Sequence, residues 1–165
     1  MADFNGYWKI DLDRSRVWDT SSDAWVPDPV GREEIWIETD GDTHRYENVL
    51  RLNPSYRLGY TVRYGDNSWT PYMVLETVDD AESRAPNAAT SGDTRRIELK
   101  VGEPLSLVSL VRIDASFHYR ISKNLDGTPG YVLQRRIEDG GRTFTSTVFT
   151  ADGKLTLIKV FNRVG

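Results

Sequence analysis

The sequence predicts an all-β protein, an antiparallel up-and-down barrel of about eight to ten strands forming a single domain over residues 1–165. Three observations lead there. Apolar–polar alternation recurs in short runs bounded by Asp-Gly and Gly-Gly turns, where glycine supplies positive φ without steric cost. The links between runs are too short for parallel crossovers. No long segment holds a helical period.

The clearest stretch is Phe117–Val164. It reads as Phe117–Leu125, Tyr131–Glu138, Arg142–Thr150 and Leu155–Val164, separated by Asp126–Gly130, Asp139–Gly141 and Ala151–Lys154. Upstream, Asn5–Asp11 alternates as a strand. Asp13–Pro29 is rich in Asp, Ser and Pro with Trp18 and Trp25 embedded, so residues 13–30 are expected to form a loop serving as a lid or a plug on the barrel end. Strands follow at Glu33–Thr39, Thr43–Leu52, Tyr56–Tyr64 and Trp69–Val78. Pro71 is tolerable at an edge or bulge. Residues 79–94 form a second irregular loop, followed by strands at Arg95–Val101 and Leu105–Ile113. Hairpin links between sequence neighbours favour a closed barrel over a sandwich. Closure pairs the first strand, around Tyr7–Ile10, with the last, around Leu157–Phe161.

The net charge is −4 with both signs interspersed, and no basic face is evident, which argues against a nucleic-acid partner. No apolar run is long enough for a membrane helix. With no cysteine there is neither a disulfide framework nor a thiolate metal site, which fits a cytoplasmic setting. The two histidines, His44 and His118, lie on different strands, and no nucleophile elbow, phosphate loop or metal-ligand cluster is present. No cofactor or metal is expected. The partner is a small-molecule ligand or substrate, and the protein a monomer or homodimer.

Phe4-Asn5-Gly6-Tyr7-Trp8-Lys9-Ile10 resembles the N-terminal Gly-x-Trp strand of the calycin superfamily, the lipocalins and fatty-acid-binding proteins. Asp152–Phe161 resembles their closing strand. The resemblance implies a lipocalin-like barrel around a hydrophobic ligand. In fatty-acid-binding proteins an Arg-x-Tyr pair on the last strand grips the lipid carboxylate. The matching positions here are Lys159 and Phe161, so the anion-gripping role falls to Lys159, whose pKa burial is expected to depress.

Alternation along each strand nominates the interior. The inward phases are Tyr56, Leu58, Tyr60, Val62 and Tyr64; His44, Tyr46, Asn48, Leu50 and Leu52; Trp69, Met73 and Leu75; Phe117, Tyr119 and Ile121, with His118 and Arg120 outward unless a bulge intervenes; and Tyr131, Leu133, Arg135 and Ile137. The candidate ligand-binding residues are Tyr46, Asn48, Tyr60, Trp69, Met73, Tyr131, Lys159 and Phe161. An aromatic lining with phenols suits a compact aromatic ligand carrying oxygen substituents. The alternative is a cofactor-free lyase, isomerase or cyclase acting on an aromatic or polyketide-like substrate, with His44 as base, Tyr46, Tyr60 or Tyr119 as phenolic donor and Arg135 or Lys159 stabilising an oxyanion. A ligand in the barrel is expected to quench Trp69, Trp18 and Trp25.

Overall fold

The computed structural model describes residues 2–51, 54–78 and 99–165. Eleven strands lie among them: β1 (Gly6–Asp19), β2 (Ala24–Pro27), β3 (Glu33–Asp40), β4 (Thr43–Leu50), β5 (Ser55–Arg63), β6 (Thr70–Val78), β7 (Pro104–Asp114), β8 (Phe117–Lys123), β9 (Pro129–Glu138), β10 (Thr143–Thr150) and β11 (Leu155–Val164). From β3 onward each strand pairs antiparallel with the next, and β11 returns to β1. The result is a closed up-and-down barrel of ten strands, with β2 added beside the second half of β1. The closing register runs from Tyr7↔Val164 through Ile10↔Phe161 to Val17↔Leu157. Closure removes the unpaired sheet edge that an open meander would expose. Among the described residues, no helix is long and apolar enough to cross a membrane.

Residues 13–30 do not form the expected loop. β1 runs on to Asp19 and turns back as β2, so Trp18 and Trp25 are cross-strand partners with their rings edge to face at 5.7 Å. Asp, Ser and Pro concealed this hairpin because β1 carries a bulge between Asp11 and Arg16 that breaks its alternation. Ser15 stabilises the bulge: its Oγ donates to Asp11 O at 2.7 Å and accepts from Val160 N at 3.0 Å. The irregular segment expected over 79–94 lies outside the described residues, as do Leu52 and most of the strand expected at Arg95–Val101.

The interior side chains follow the predicted phase on β4, β5 and β9, and the opposite phase on β6 and β8. Tyr72 and Val74 are buried, whereas Trp69 and Leu75 are about two-fifths exposed (41% and 40%) and Met73 lies on the outer face. On β8 it is His118, Arg120 and Ser122 that face inward, while Phe117, Tyr119 and Ile121 lie outside. The cause is cross-strand register, since directly opposed residues share a face. Val74 faces Leu58, and Arg120 lies between Leu110 and Leu133, all of them buried. The outward aromatics of β8 are covered locally: Phe117 packs on Tyr119 at 5.1 Å and beneath Arg136 at 4.2 Å.

The apolar core runs through the barrel, from Tyr56, Val74 and Val108 to an aromatic group around Phe4 and Trp8. Trp8 is fully buried, with its Nε1 donating to Phe4 O at 2.9 Å; Phe144 meets it edge to face at 4.7 Å and stacks on Phe161 at 4.8 Å.

Candidate functional site: the polar axis of the barrel

Several strands carry polar side chains into the interior, Tyr72 from β6 and Ser146 from β10 among them. β4 supplies His44, Tyr46 and Asn48; β5 supplies Tyr60; β8 supplies His118 and Arg120; β9 supplies Arg135. In the middle of the barrel the Arg120 guanidinium carbon lies 5.2–5.7 Å from the ring centres of Tyr46, Tyr60, Tyr72 and Tyr131. Its Nη2 donates to Tyr131 Oη at 2.9 Å. Arg135 lies over the other side of the cluster, 4.5 Å from the Tyr46 ring, and its Nε donates to Ser146 Oγ at 3.2 Å. Tyr46 and Tyr60 stack at 4.8 Å, Tyr72 meets Tyr60 edge-on at 5.2 Å, and Tyr72 Oη donates to Asn48 Oδ1 at 2.5 Å.

Aromatic faces stabilise the guanidinium charges but do not satisfy their N–H groups. Arg120 Nε and Nη1 and Arg135 Nη1 are buried with no hydrogen-bond partner among the described residues, and Tyr60 Oη is in the same condition. Arginine stays charged at any physiological pH, so these are permanent buried cations with unspent donors. Burial raises the pKa of Tyr46, Tyr64 and Tyr72, so the phenols remain neutral.

Toward the N-terminal end lie the two histidines. Burial, reinforced by Arg135, Arg120 and Arg112, lowers the pKa of His44 to about 3. Burial, then Arg135 and His44, lowers that of His118 in the same direction. Tyr64 Oη is 3.0 Å from His44 Nδ1 and 3.4 Å from His118 Nδ1. A cleft of ≈ 490 Å³ opens beside Tyr64, lined by Asp3, Phe4, Asn5, Thr39 and Arg112 among others.

The structure brings together Tyr46, Asn48, Tyr60, Tyr131, His44 and Arg135. It separates Trp69, Met73 and Tyr119 from them, because those three lie on the outer side of the barrel. Tyr119 therefore drops out as a phenolic donor beside His44 and Arg135, leaving Tyr46 and Tyr60 in that position, and a histidine held near pKa 3 is a weak base at neutral pH. Phe161 is buried, but in the aromatic core against Phe144.

Lys159 points inward, yet it is already engaged. Its Nζ lies 2.5 Å from Glu33 Oε2 and 3.7 Å from Asp28 Oδ2. Burial opposes its charge, but Glu33 and Asp28 outweigh burial, and its pKa is raised rather than depressed. With two carboxylates on one ammonium, nothing is left to grip an anion. Besides Tyr72 on β6, Arg120 and His118 are interior residues of the cluster that sequence reasoning missed. Their signal is a polar period-two run, His118-Arg120-Ser122, which the flanking apolar residues masked.

No family model matches the sequence, and neither does any curated protein. The structure, however, superposes on a Schistosoma mansoni fatty acid binding protein in complex with arachidonic acid at TM-score 0.57 and 15% identity, covering 98% of this chain and 96% of that one. The fold is that of the calycin barrels. Echinococcus granulosus fatty-acid-binding protein 1 matches this barrel at TM-score 0.53 and 9% identity, and a zebrafish ileal bile acid-binding protein complexed with cholic acid at 0.52 and 10%, each covering 98% of both chains.

Proposed function

We propose that this calycin barrel binds a small, hydrophobic, aromatic molecule in its interior and holds the molecule's anionic end against Arg120 and Arg135. The observation that carries the reading is the set of buried guanidinium N–H groups, without partners among the described residues, amid stacked tyrosines. A buried donor without an acceptor costs about 1–3 kcal/mol, more when charged, and a carboxylate or enolate relieves both the missing hydrogen bonds and the uncompensated charge. The tyrosine faces favour a planar partner over a flexible alkyl chain. The S. mansoni and zebrafish barrels, of the same fold, carry arachidonic acid and cholic acid, both organic acids. A cytoplasmic binding protein for such a molecule is the setting that completes this reading.

The test is calorimetric titration with 2-naphthoate and its uncharged methyl ester. The carboxylate is expected to bind at least about tenfold tighter, and Arg120→Met and Arg135→Met each to lose about 1.5–3 kcal/mol of carboxylate binding. Equal affinity for acid and ester, or no binding of either, refutes the reading.

A further inference from the structure

The end of the barrel beyond Arg135 holds a group of side chains that anion binding does not use. His44 and His118 are both fully buried, with ring centres 5.3 Å apart. Each presents Nδ1 to the Tyr64 hydroxyl, at 3.0 and 3.4 Å, and Thr39 Oγ1 also lies 3.0 Å from His44 Nδ1. The second nitrogen of each ring, Nε2, is buried and has no partner among the described residues. Two buried polar atoms on neighbouring rings, each ring held through its Nδ1, form a site with its supporting contacts in place and its own hydrogen bonds unmade.

The protonation of that pair follows from the phenol. Both imidazoles are neutral, so each ring carries one N–H and one bare nitrogen. Tyr64 has a single proton. Where the phenol bonds both rings and Thr39 Oγ1 turns its own hydrogen away from His44, Tyr64 gives that proton to one Nδ1, and the other Nδ1 bonds the phenol only by donating its own hydrogen. One ring is thereby an Nε2–H donor and the other a bare Nε2 acceptor. We propose that His44 and His118, set in opposite tautomers by Tyr64, form a paired donor and acceptor that recognises a hydroxyl group on the bound aromatic molecule.

A hydroxyl is the group that both gives and takes one hydrogen bond. A carboxylate oxygen would meet one bare nitrogen as a repulsion. A metal cation would face the positive field of Arg135, Arg120 and Arg112, which acts on these rings, with only two imidazole nitrogens to hold it. His118 and Arg120 are two residues apart on β8, a rise of about 7 Å. That spacing matches a two-ring aromatic with its acid at one end and its hydroxyl at the other. The site rests on the anion-binding reading above and adds to it the opposite end of the ligand.

The experiment compares 2-naphthoate with 6-hydroxy-2-naphthoate by calorimetry on the intact protein. It adds 15N spectra of the histidine side chains, which report the tautomers without any ligand. The hydroxylated probe is expected to bind about tenfold tighter. That advantage should fall toward unity in His118→Phe and in Tyr64→Phe, the second being a rim variant with little effect on packing. The spectra should show one histidine protonated at Nε2 and the other at Nδ1, and Tyr64→Phe should remove that asymmetry. Equal affinity for the two probes, as when a trapped water already bridges the nitrogens, overturns the hydroxyl site and leaves anion binding standing. Two identical tautomers overturn it as well. Failure of both probes to bind overturns the anion-binding reading and this one with it.

Discussion

Burial decides what the ionisable residues of this barrel can do. An unfolded histidine takes up its proton near pH 6.5, whereas folded His44 resists protonation until about pH 3. Between those values the unfolded chain holds the extra proton, so stability falls as pH falls, by about 1.4 kcal/mol per pH unit for one such group. His118 acts in the same direction. We expect His44→Phe to flatten the loss of stability between pH 6.5 and 5, measured as urea midpoints. An unchanged slope would show that His44 is not held neutral. Lys159 illustrates the converse case, a buried charge with its partners in place. Its side chain is 13% exposed, and those of Asp28 and Glu33 are 4% and 8% exposed. Lys159→Met strands two buried carboxylates, and a loss of about 3–5 kcal/mol in unfolding free energy is expected. A variant as stable as the wild type would rule out that pairing.

Among the elements, β1 has the most to reconcile. It pairs with β11 along one edge and, on the other, with β3 over Gly6–Lys9 and β2 over Arg16–Asp19. Changing partners requires a bend, which the bulge at Asp11–Arg16 supplies and Ser15 stabilises from 0% exposure. Ser15→Ala removes both hydrogen bonds of that hydroxyl and leaves Val160 N–H buried without an acceptor. A cost of about 1–3 kcal/mol is expected in denaturant unfolding. β5 sets a different limit. A Cβ on Gly59 would come within 2.9 Å of Tyr46 O and of Leu75 Cδ1. Gly59→Ala is therefore expected to destabilise by about 1–3 kcal/mol through overpacking, and a neutral result would mean that β4 and β5 can separate there.

At the scale of the whole molecule, charge is sorted by depth. The chain carries a net −4, yet its most deeply placed ions include the two guanidiniums of Arg120 and Arg135. An interior positive field within a negatively charged protein favours small organic anions over large polyanions, which cannot enter the barrel. Because such a ligand binds the folded state alone, 2-naphthoate at a hundred times its Kd should stabilise by about 2.7 kcal/mol and raise Tm accordingly. The optical reporter of that event is not Trp69 or Trp25, which are 41% and 39% exposed, but Trp8, which is fully buried. Trp8→Phe should abolish any ligand-induced change in tryptophan emission; persistence of the change would place the ligand near the rim indoles instead.

The sequence by itself determined most of the barrel strands, the turns between them and the closure of the barrel, because these depend on local chemistry. Glycines at Gly127 and Gly153 take φ of 87° and 89°, which an Asp-Gly turn announces in advance. Once the hairpins are fixed, ten strands in sequence order leave only the first and last to pair. The interior of β4, β5 and β9 was legible for a related reason, since there the buried phase is visibly set apart from an outer face rich in Arg, Glu and Thr. Tertiary structure alone decided the faces of β6 and β8, the hairpin of β1 and β2, and the partners of Lys159. On β8, Phe117, Tyr119 and Ile121 are the more apolar set, yet the register with Leu110 and Leu133 turns Arg120 inward. Hydrophobicity ranks side chains one at a time, whereas a closed sheet fixes the face of each residue through the strand beside it. In this barrel that constraint set two arginines and two histidines among tyrosines, and with them the candidate site.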